Sequence, residues 1–263
     1  MNILITINKN YLKYAFVMLK SCISNNQKEK IKVFIVSNDI SVKDMEYFFE
    51  SQKVEYSIIR FDDKLFNNAP TSKRYPNEIY YRLLASMYLP DEVDRILYLD
   101  PDVIILKSLN DLYNMNFDGN YYIGASNVKK FLRKFNELKN NASKNAPYIN
   151  TGVLLINLSG LRKVNVRGKI INYLDKNKNR LFLPDQDILQ GVFGNKIKVI
   201  NNHVYNLSDR EIKKHNLTHR NKIDNKWVEE NTSIIHYIGK NKPWKKKYKG
   251  ILKKYYTKYE ENK

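Results

Sequence analysis

The chain has 263 residues, 43% of them hydrophobic, and one cysteine; that is enough apolar material for a full core and rules out an intrachain disulfide. Its formal net charge is +19, a balance that suits nucleic acid, an anionic membrane surface or a phosphorylated substrate as partner. No apolar run is long enough to span a bilayer, and the short apolar opening, residues 1–7, lacks a basic leader and a small-residue cleavage site, so it reads as a first strand of a protein in the reducing cytoplasm.

Residues 3–7 read as a buried strand. Leu12, Ala15, Phe16, Leu19 and Ile23 recur with a helical period over 11–24. A second strand is predicted at 31–37. A helix follows at 41–51, with Ser41 as N-cap and Asp44 completing a capping box. Residues 54–60 read as a third strand, 78–88 as a helix stopped by Pro90, and 95–100 as a fourth strand. This alternation implies parallel strands joined by helical crossovers, hence an α/β layered domain. Beyond Val103 the pattern is mixed. Strands are predicted at 122–126 and 153–157, separated by a Lys/Asn-rich stretch, 127–148, expected to be a helix plus a mobile loop. Residues 158–176 read as a helix interrupted near Val164, 185–193 as a short helix after Pro184, and 197–200 and 234–238 as strands. No repeat or Pro/Gly-rich linker divides the chain, which predicts one domain over 1–244 and a basic extension over 245–263.

The fourth strand ends in Asp100-Pro101-Asp102. In extended chain, residues i and i+2 share a face roughly 6–7 Å apart, so two short carboxylates can converge on one cation, and Pro101 restricts the backbone between them. Ligands gather at the carboxyl ends of strands in open α/β sheets; alone, the tripeptide also fits a solvated turn. His236 sits in a strand and is followed by Gly239 and Lys242 at spacings suited to a turn and a phosphate contact. Imidazole with carboxylates suits Mn²⁺, whereas Mg²⁺ prefers oxygen alone. A metal held by Asp100, Asp102 and His236 would neutralise a diphosphate leaving group, with Lys242 adding charge to the same oxygens. Asn150-Thr151-Gly152 precedes a strand, and Gly152 permits close backbone approach. Asp185-Gln186-Asp187 opens a helix, where Asp185 equally serves as an N-cap and Asp187 as a dipole-favoured residue of the first turn.

Taken in order, the Asn-Tyr after the first strand, Tyr80-x-Arg82-Leu83, Leu99-Asp100-x-Asp102, Asn150-x-Gly152-Val153-Leu154, Asp185-Gln186-Asp187 and His236-Tyr237-x-Gly239-x-x-Lys242-Pro243-Trp244 resemble glycosyltransferase family 8, which includes bacterial lipooligosaccharide galactosyltransferases and glycogenin. The resemblance runs from Met1 to about Trp244. It implies the nucleotide-diphosphosugar transferase type A fold, Rossmann-like, with a mixed sheet flanked by helices. It also implies a UDP-sugar donor of glucose or galactose type, Mn²⁺ with Mg²⁺ as a possible substitute, and retention of anomeric configuration. The acceptor expected is a glycan, glycolipid or glycoprotein, as in bacterial surface polysaccharide synthesis. It places Asp100, Asp102 and His236 on the metal, and Asn8, Asn10 and Tyr11 near the uridine, with Tyr11 stacking on the base. Gly239 and Lys242 fall on the diphosphate, and Arg82, Asn150, Asp185 and Gln186 on the donor sugar. Many members carry Asp where this chain has Asn8 and an acid where it has Lys9; the Asn8 carbonyl can still accept from uracil N3–H. Opposite the leaving group the family presents an amide, here Gln186, with adjacent Asp187 as the backup. A same-face substitution, in which the leaving phosphate helps deprotonate the acceptor, fits an amide better than double displacement through a carboxylate.

Two other readings belong beside it. A sugar-nucleotide nucleotidyltransferase calls for a glycine-rich phosphate loop near the N-terminus, which this chain lacks. A non-enzymatic nucleic-acid-binding protein explains the charge but has no use for Asp100 and Asp102, so no nucleic acid is expected as partner. The segment 240–263 carries ten lysines and two glutamates, a net of +8. Its Trp244, Tyr248, Ile251, Leu252, Tyr255, Tyr256 and Tyr259 follow a helical stripe weakened by Gly250. Such a helix can lie on an anionic bilayer, making the protein peripheral at the inner face of the cell membrane, or dock its stripe on the domain and leave its lysines solvated.

Overall fold

The computed structural model describes residues 1–61, 78–127, 130–177 and 180–260, without the side chains of 130–133. The start of the predicted 127–148 stretch and the last residues of the basic tail therefore lie partly outside the described residues. Strands are β1 (Asn2–Thr6), β2 (Lys32–Val36), β3 (Glu55–Ile59), β4 (Arg95–Leu99), β5 (Val103–Ile105), β6 (Tyr122–Ala125), β7 (Val153–Asn157), β8 (Ile197–Ile200) and β9 (Ile234–His236). A seven-stranded sheet has the order β3-β2-β1-β4-β7-β6-β8, and β5 pairs with β9 in a separate ribbon. The β3-β2-β1-β4 half is parallel. β7 then runs antiparallel to both β4 and β6, and β6 and β8 are parallel, so the sheet is mixed.

Both faces are covered, which explains why the strands read as continuous apolar runs. Leu4, Phe34, Tyr98 and Leu154 point into one core, while Ile5, Ile35, Leu97 and Leu155 point into the other. The helix Leu12–Ser24 covers the second face with Ala15, Met18, Leu19 and Cys22. The capping box forms, with the Asp44 carboxylate accepting from the Ser41 N–H at 2.9 Å. The interrupted helix resolves into Leu158–Arg162 and Val166–Asn177.

Three expectations need correction. β9 stops at His236, and the chain then turns through Gly239 at φ +94°. The expected loose loop after the helix Lys130–Lys139 is fastened instead: Asn140 is 1% exposed and donates to both Asp187 and Gln190, and Gln190 donates to the Ala146 carbonyl at 3.0 Å. The stripe over 244–259 is helical only at Lys253–Glu260. That helix docks. Tyr248, Leu252, Tyr255, Tyr256 and Tyr259 are buried in a third cluster with Val17, Ile104 and Ile235, so packing is continuous across the expected boundary at 244, and docking accounts for these residues of the stripe, while Ile251 stays 46% exposed. The short β5 and the helices Asn202–Tyr205, Asp209–Thr218 and Asn225–Asn231 were not anticipated. Among the described residues no helix is long and apolar enough to cross a membrane.

Candidate functional site

The chain runs β1, β2 and β3 outward on one side, then returns to lay β4 against the other side of β1. The strand order therefore reverses between β1 and β4, and in open α/β sheets ligands gather beyond the carboxyl ends of the strands at such a reversal. β1 leads into Asn8, Lys9, Asn10 and Tyr11, and β4 leads into Asp100 and Asp102. The antiparallel β7 brings its first residues to the same end, because Asp100 N–H donates to the Gly152 carbonyl at 2.8 Å. The β5–β9 ribbon pairs Val103 with His236, which carries the imidazole back beside the carboxylates.

Asp100, Asp102 and His236 each offer a ligand atom, all within 4.8 Å of one another. His236 Nε2 lies 3.2 Å from Asp102 Oδ1 and 3.9 Å from Asp100 Oδ2. Two carboxylates with one imidazole fit a divalent cation of borderline softness. The Lys242 ammonium is bonded to Asp102 Oδ2 and, at 2.8 Å, to the Tyr237 carbonyl. Burial pushes the Asp102 carboxyl up, but Lys242 and His236 together outweigh it and hold the group well below the usual carboxylate range. Gly152 closes the wall. A Cβ there would come 2.5 Å from Asp100 Oδ2 and 3.0 Å from His236 Nε2, so any larger residue would push these side chains aside. On the far side of the ring, His236 Nδ1 bonds to Asn206 Oδ1 at 2.7 Å.

A second layer supports this cluster. Arg82, 5% exposed, donates to Asp100 Oδ1 at 3.0 Å and to the Thr151 carbonyl at 2.9 Å, and lies 3.7 Å from Asp185 Oδ2. Its guanidinium stacks 4.1 Å over the Tyr98 ring, whose hydroxyl donates to Asp100 Oδ1 at 2.7 Å. Asp185 accepts from the Thr151 hydroxyl at 2.6 Å. Burial raises the Asp185 carboxyl above its ordinary range, against the pull of Arg82. The helix Pro184–Phe193 begins with Leu183 as N-cap and proline at its first position, so Asp185 is inside the first turn and is not the cap. Gln186 is part-exposed beside it, and Asn150 Oδ1 accepts from Gly152 N–H at 3.0 Å.

Asp187, expected as a backup catalytic carboxylate, is enclosed. It is 0% exposed. Its oxygens accept from Lys139 Nζ at 2.8 Å, Asn140 at 3.1 Å, the Tyr148 hydroxyl at 2.8 Å and the N–H groups of Phe182 and Leu183 at 2.7 and 3.1 Å. A carboxylate so enclosed fastens the start of the helix and presents no surface to solvent.

Just past the carboxyl end of β1, Asn8 Oδ1 is buried with no hydrogen-bond partner among the described residues, an acceptor suited to a ligand donor. Lys9 N–H is occupied by Asp39 at 3.0 Å. Asn10 is exposed, and Tyr11 is 40% exposed with its ring edge-on to Tyr14 at 6.0 Å. Tyr14 in turn stacks on Trp244 at 3.8 Å. Asn206 went unread in the sequence, and Tyr98 and Thr151 were assigned no role there. Tyr98 was legible as an inward residue two before Asp100, whereas Asn206 carries no local signal.

The model of Glycosyl transferase family 8 matches residues 2–248. The chain belongs to that family and is a glycosyltransferase. It is 28% identical over 246 residues to a lipopolysaccharide 1,2-glucosyltransferase of Escherichia coli, covering 90% of this chain and 71% of that one. It is 31% identical over 259 residues to a putative glycosyltransferase of Haemophilus influenzae, with 94% and 74% covered. A lipopolysaccharide 1,3-galactosyltransferase of Salmonella typhimurium is 28% identical over 261 residues, with 92% and 72% covered. The solved galactosyltransferase LgtC, in complex with donor and acceptor sugar analogues, shares the fold at a TM-score of 0.84, with 24% identity and 99% and 95% of the two chains covered.

Proposed function

We propose that this glycosyltransferase moves a hexose, glucose or galactose, from a UDP-sugar to a carbohydrate acceptor with retention of configuration, and that it depends on Mn²⁺. The observation that carries the reading is the convergence of Asp100, Asp102 and His236 at the strand-order reversal. These three residues would hold the ion, which when bound supplies positive charge to the diphosphate. Lys242 adds a second charge by transferring its ammonium from Asp102 to the diphosphate, and Gly239 allows its loop to approach. Asn8, through its unpaired carbonyl, would accept from the uracil, with Asn10 beside the uridine and Tyr11 stacked on the base. Arg82 and Asp185 would bind donor-sugar hydroxyls together with Asn150. Gln186 lies at the sugar's other face, where its carbonyl stabilises positive charge as UDP departs. An amide is a poor nucleophile and Asp187 is enclosed, so the reading favours same-face substitution, with the leaving phosphate taking the acceptor's proton. The relatives' names favour a bacterial surface glycolipid as acceptor. Since the aromatic stripe is docked, attachment at the cytoplasmic membrane face would rest on charge alone, through the exposed Lys245, Lys246, Lys247, Lys249 and Lys253.

The test is UDP release from a panel of UDP-hexoses with and without Mn²⁺, since water can replace a missing acceptor. Release from one UDP-hexose that EDTA abolishes and Mn²⁺ restores is expected. Absence of release from every UDP-sugar, or release indifferent to chelation, would overturn the donor or the metal assignment respectively.

A further inference from the structure

Asn206 is drawn to the site by backbone pairing. It follows the helix Asn202–Tyr205, with its N–H bonded to the Asn202 carbonyl at 3.0 Å. Leu207 then joins β9 as an added parallel bridge, donating to the Ile234 carbonyl at 3.1 Å and accepting from His236 N–H at 2.8 Å. Asn206 is 0% exposed and His236 3% exposed. Its carbonyl oxygen meets His236 Nδ1 at 2.7 Å, while Gly152 packs against the ring at Cε1.

An amide oxygen only accepts, so Nδ1 must carry the proton. With Nδ1 so occupied, Nε2 is the nitrogen left to offer a lone pair to a bound cation, and it is the atom that faces Asp100 and Asp102. The reverse amide orientation would offer N–H to Nδ1 and put the ring proton on Nε2, against any cation between the carboxylates. The Asn206 amide nitrogen, meanwhile, is buried with no partner among the described residues. A buried unpaired donor costs stability, so an apolar side chain would serve the fold at least as well.

We infer that Asn206 is a positioning residue that fixes the ring orientation and Nδ1–H tautomer of His236, and so sets the affinity of the site for a divalent cation. The inference rests on the metal reading above. It is tested on the full chain with Mn²⁺ alone, following the free-ion electron paramagnetic resonance signal to obtain the dissociation constant. Asn206→Leu, which removes the acceptor, should weaken Mn²⁺ binding about ten- to a hundred-fold while the melting temperature of the metal-free protein stays the same or rises. Asn206→Asp keeps an acceptor and cannot donate, so it should bind within a few-fold of the original. In the diamagnetic Mg²⁺ form, ¹⁵N spectra should show the His236 proton on Nδ1, and in Asn206→Leu a mixture of tautomers. Should the leucine variant not fold, Asn206→Ala takes its place with the same expectation. Loss of binding in Asp102→Asn but not in Asn206→Leu overturns this inference alone, as does an aspartate variant as weak as the leucine one. Unchanged binding in Asp102→Asn overturns the metal reading and this inference with it.

Discussion

Gly152→Ala tests whether the site is as tightly built as its geometry indicates. Gly152 does not have a positive φ, so alanine brings no backbone strain, and any effect comes from its methyl group. That methyl would lie 2.3 Å from His236 Cε1, 2.5 Å from Asp100 Oδ2 and 3.0 Å from His236 Nε2; to reach ordinary van der Waals contact these neighbours would have to retreat by up to about an ångström. Neither is free to do so. Asp100 is clamped by Arg82 at 3.0 Å and Tyr98 at 2.7 Å, and His236 by Asn206 at 2.7 Å. Overpacking of this kind costs about 1–3 kcal/mol, and here it falls on the proposed metal ligands. At ~1.4 kcal/mol per tenfold, Mn²⁺ should bind on the order of 5- to 150-fold more weakly. The assay is Mn²⁺ titration of the free enzyme, paired with the Mn²⁺ dependence of UDP release and a thermal melt of the metal-free protein. Release should recover partly at high Mn²⁺. Unchanged Mn²⁺ affinity together with a lowered melting temperature would refute the reasoning, since Gly152 would then serve the packing of β7 and not the site.

Asp100→Ala and Asp102→Ala should each abolish transfer while the fold survives, because both sit beyond a strand end; near-normal turnover in both would remove the metal assignment. Gln186→Ala should depress kcat more than it raises KM for the donor, as expected of an interaction made in the transition state. A rise in KM alone would make Gln186 a binding residue. Leu252→Ala, at a position 0% exposed, should cost about 2–5 kcal/mol of stability, measured by urea unfolding; a change under about 1 kcal/mol would mean that the segment leading into the C-terminal helix is not part of the core. Replacing Lys245, Lys246, Lys247 and Lys249 with glutamine should leave UDP-sugar hydrolysis intact but reduce sedimentation with anionic vesicles, an effect that salt also screens. If the unaltered protein ignores such vesicles at physiological salt, the membrane attachment is wrong.

Where chemistry is local, the amino-acid sequence determined it. The β1 to β4 runs were legible because strands buried on both faces must be apolar throughout. Asp100 and Asp102 stood out because alternate residues at a strand end share a face. The motif order was sufficient to indicate the family. What required the folded chain were the relations between distant segments. Asp185-Gln186-Asp187 is one tripeptide, yet Gln186 is part-exposed and Asp187 is walled in by Lys139, Asn140 and Tyr148, and helical rotation alone does not reveal which neighbours will arrive. Asn206 has no motif around it and gains its place only through the bridge between Leu207 and Ile235. The basic tail shows the same limit most plainly. An amphipathic stripe specifies that its tyrosines will be covered but not by what, since a bilayer and a protein core remove the same apolar area from water, and only the packing of Tyr255, Tyr256 and Tyr259 against Val17 and Ile104 decided between them.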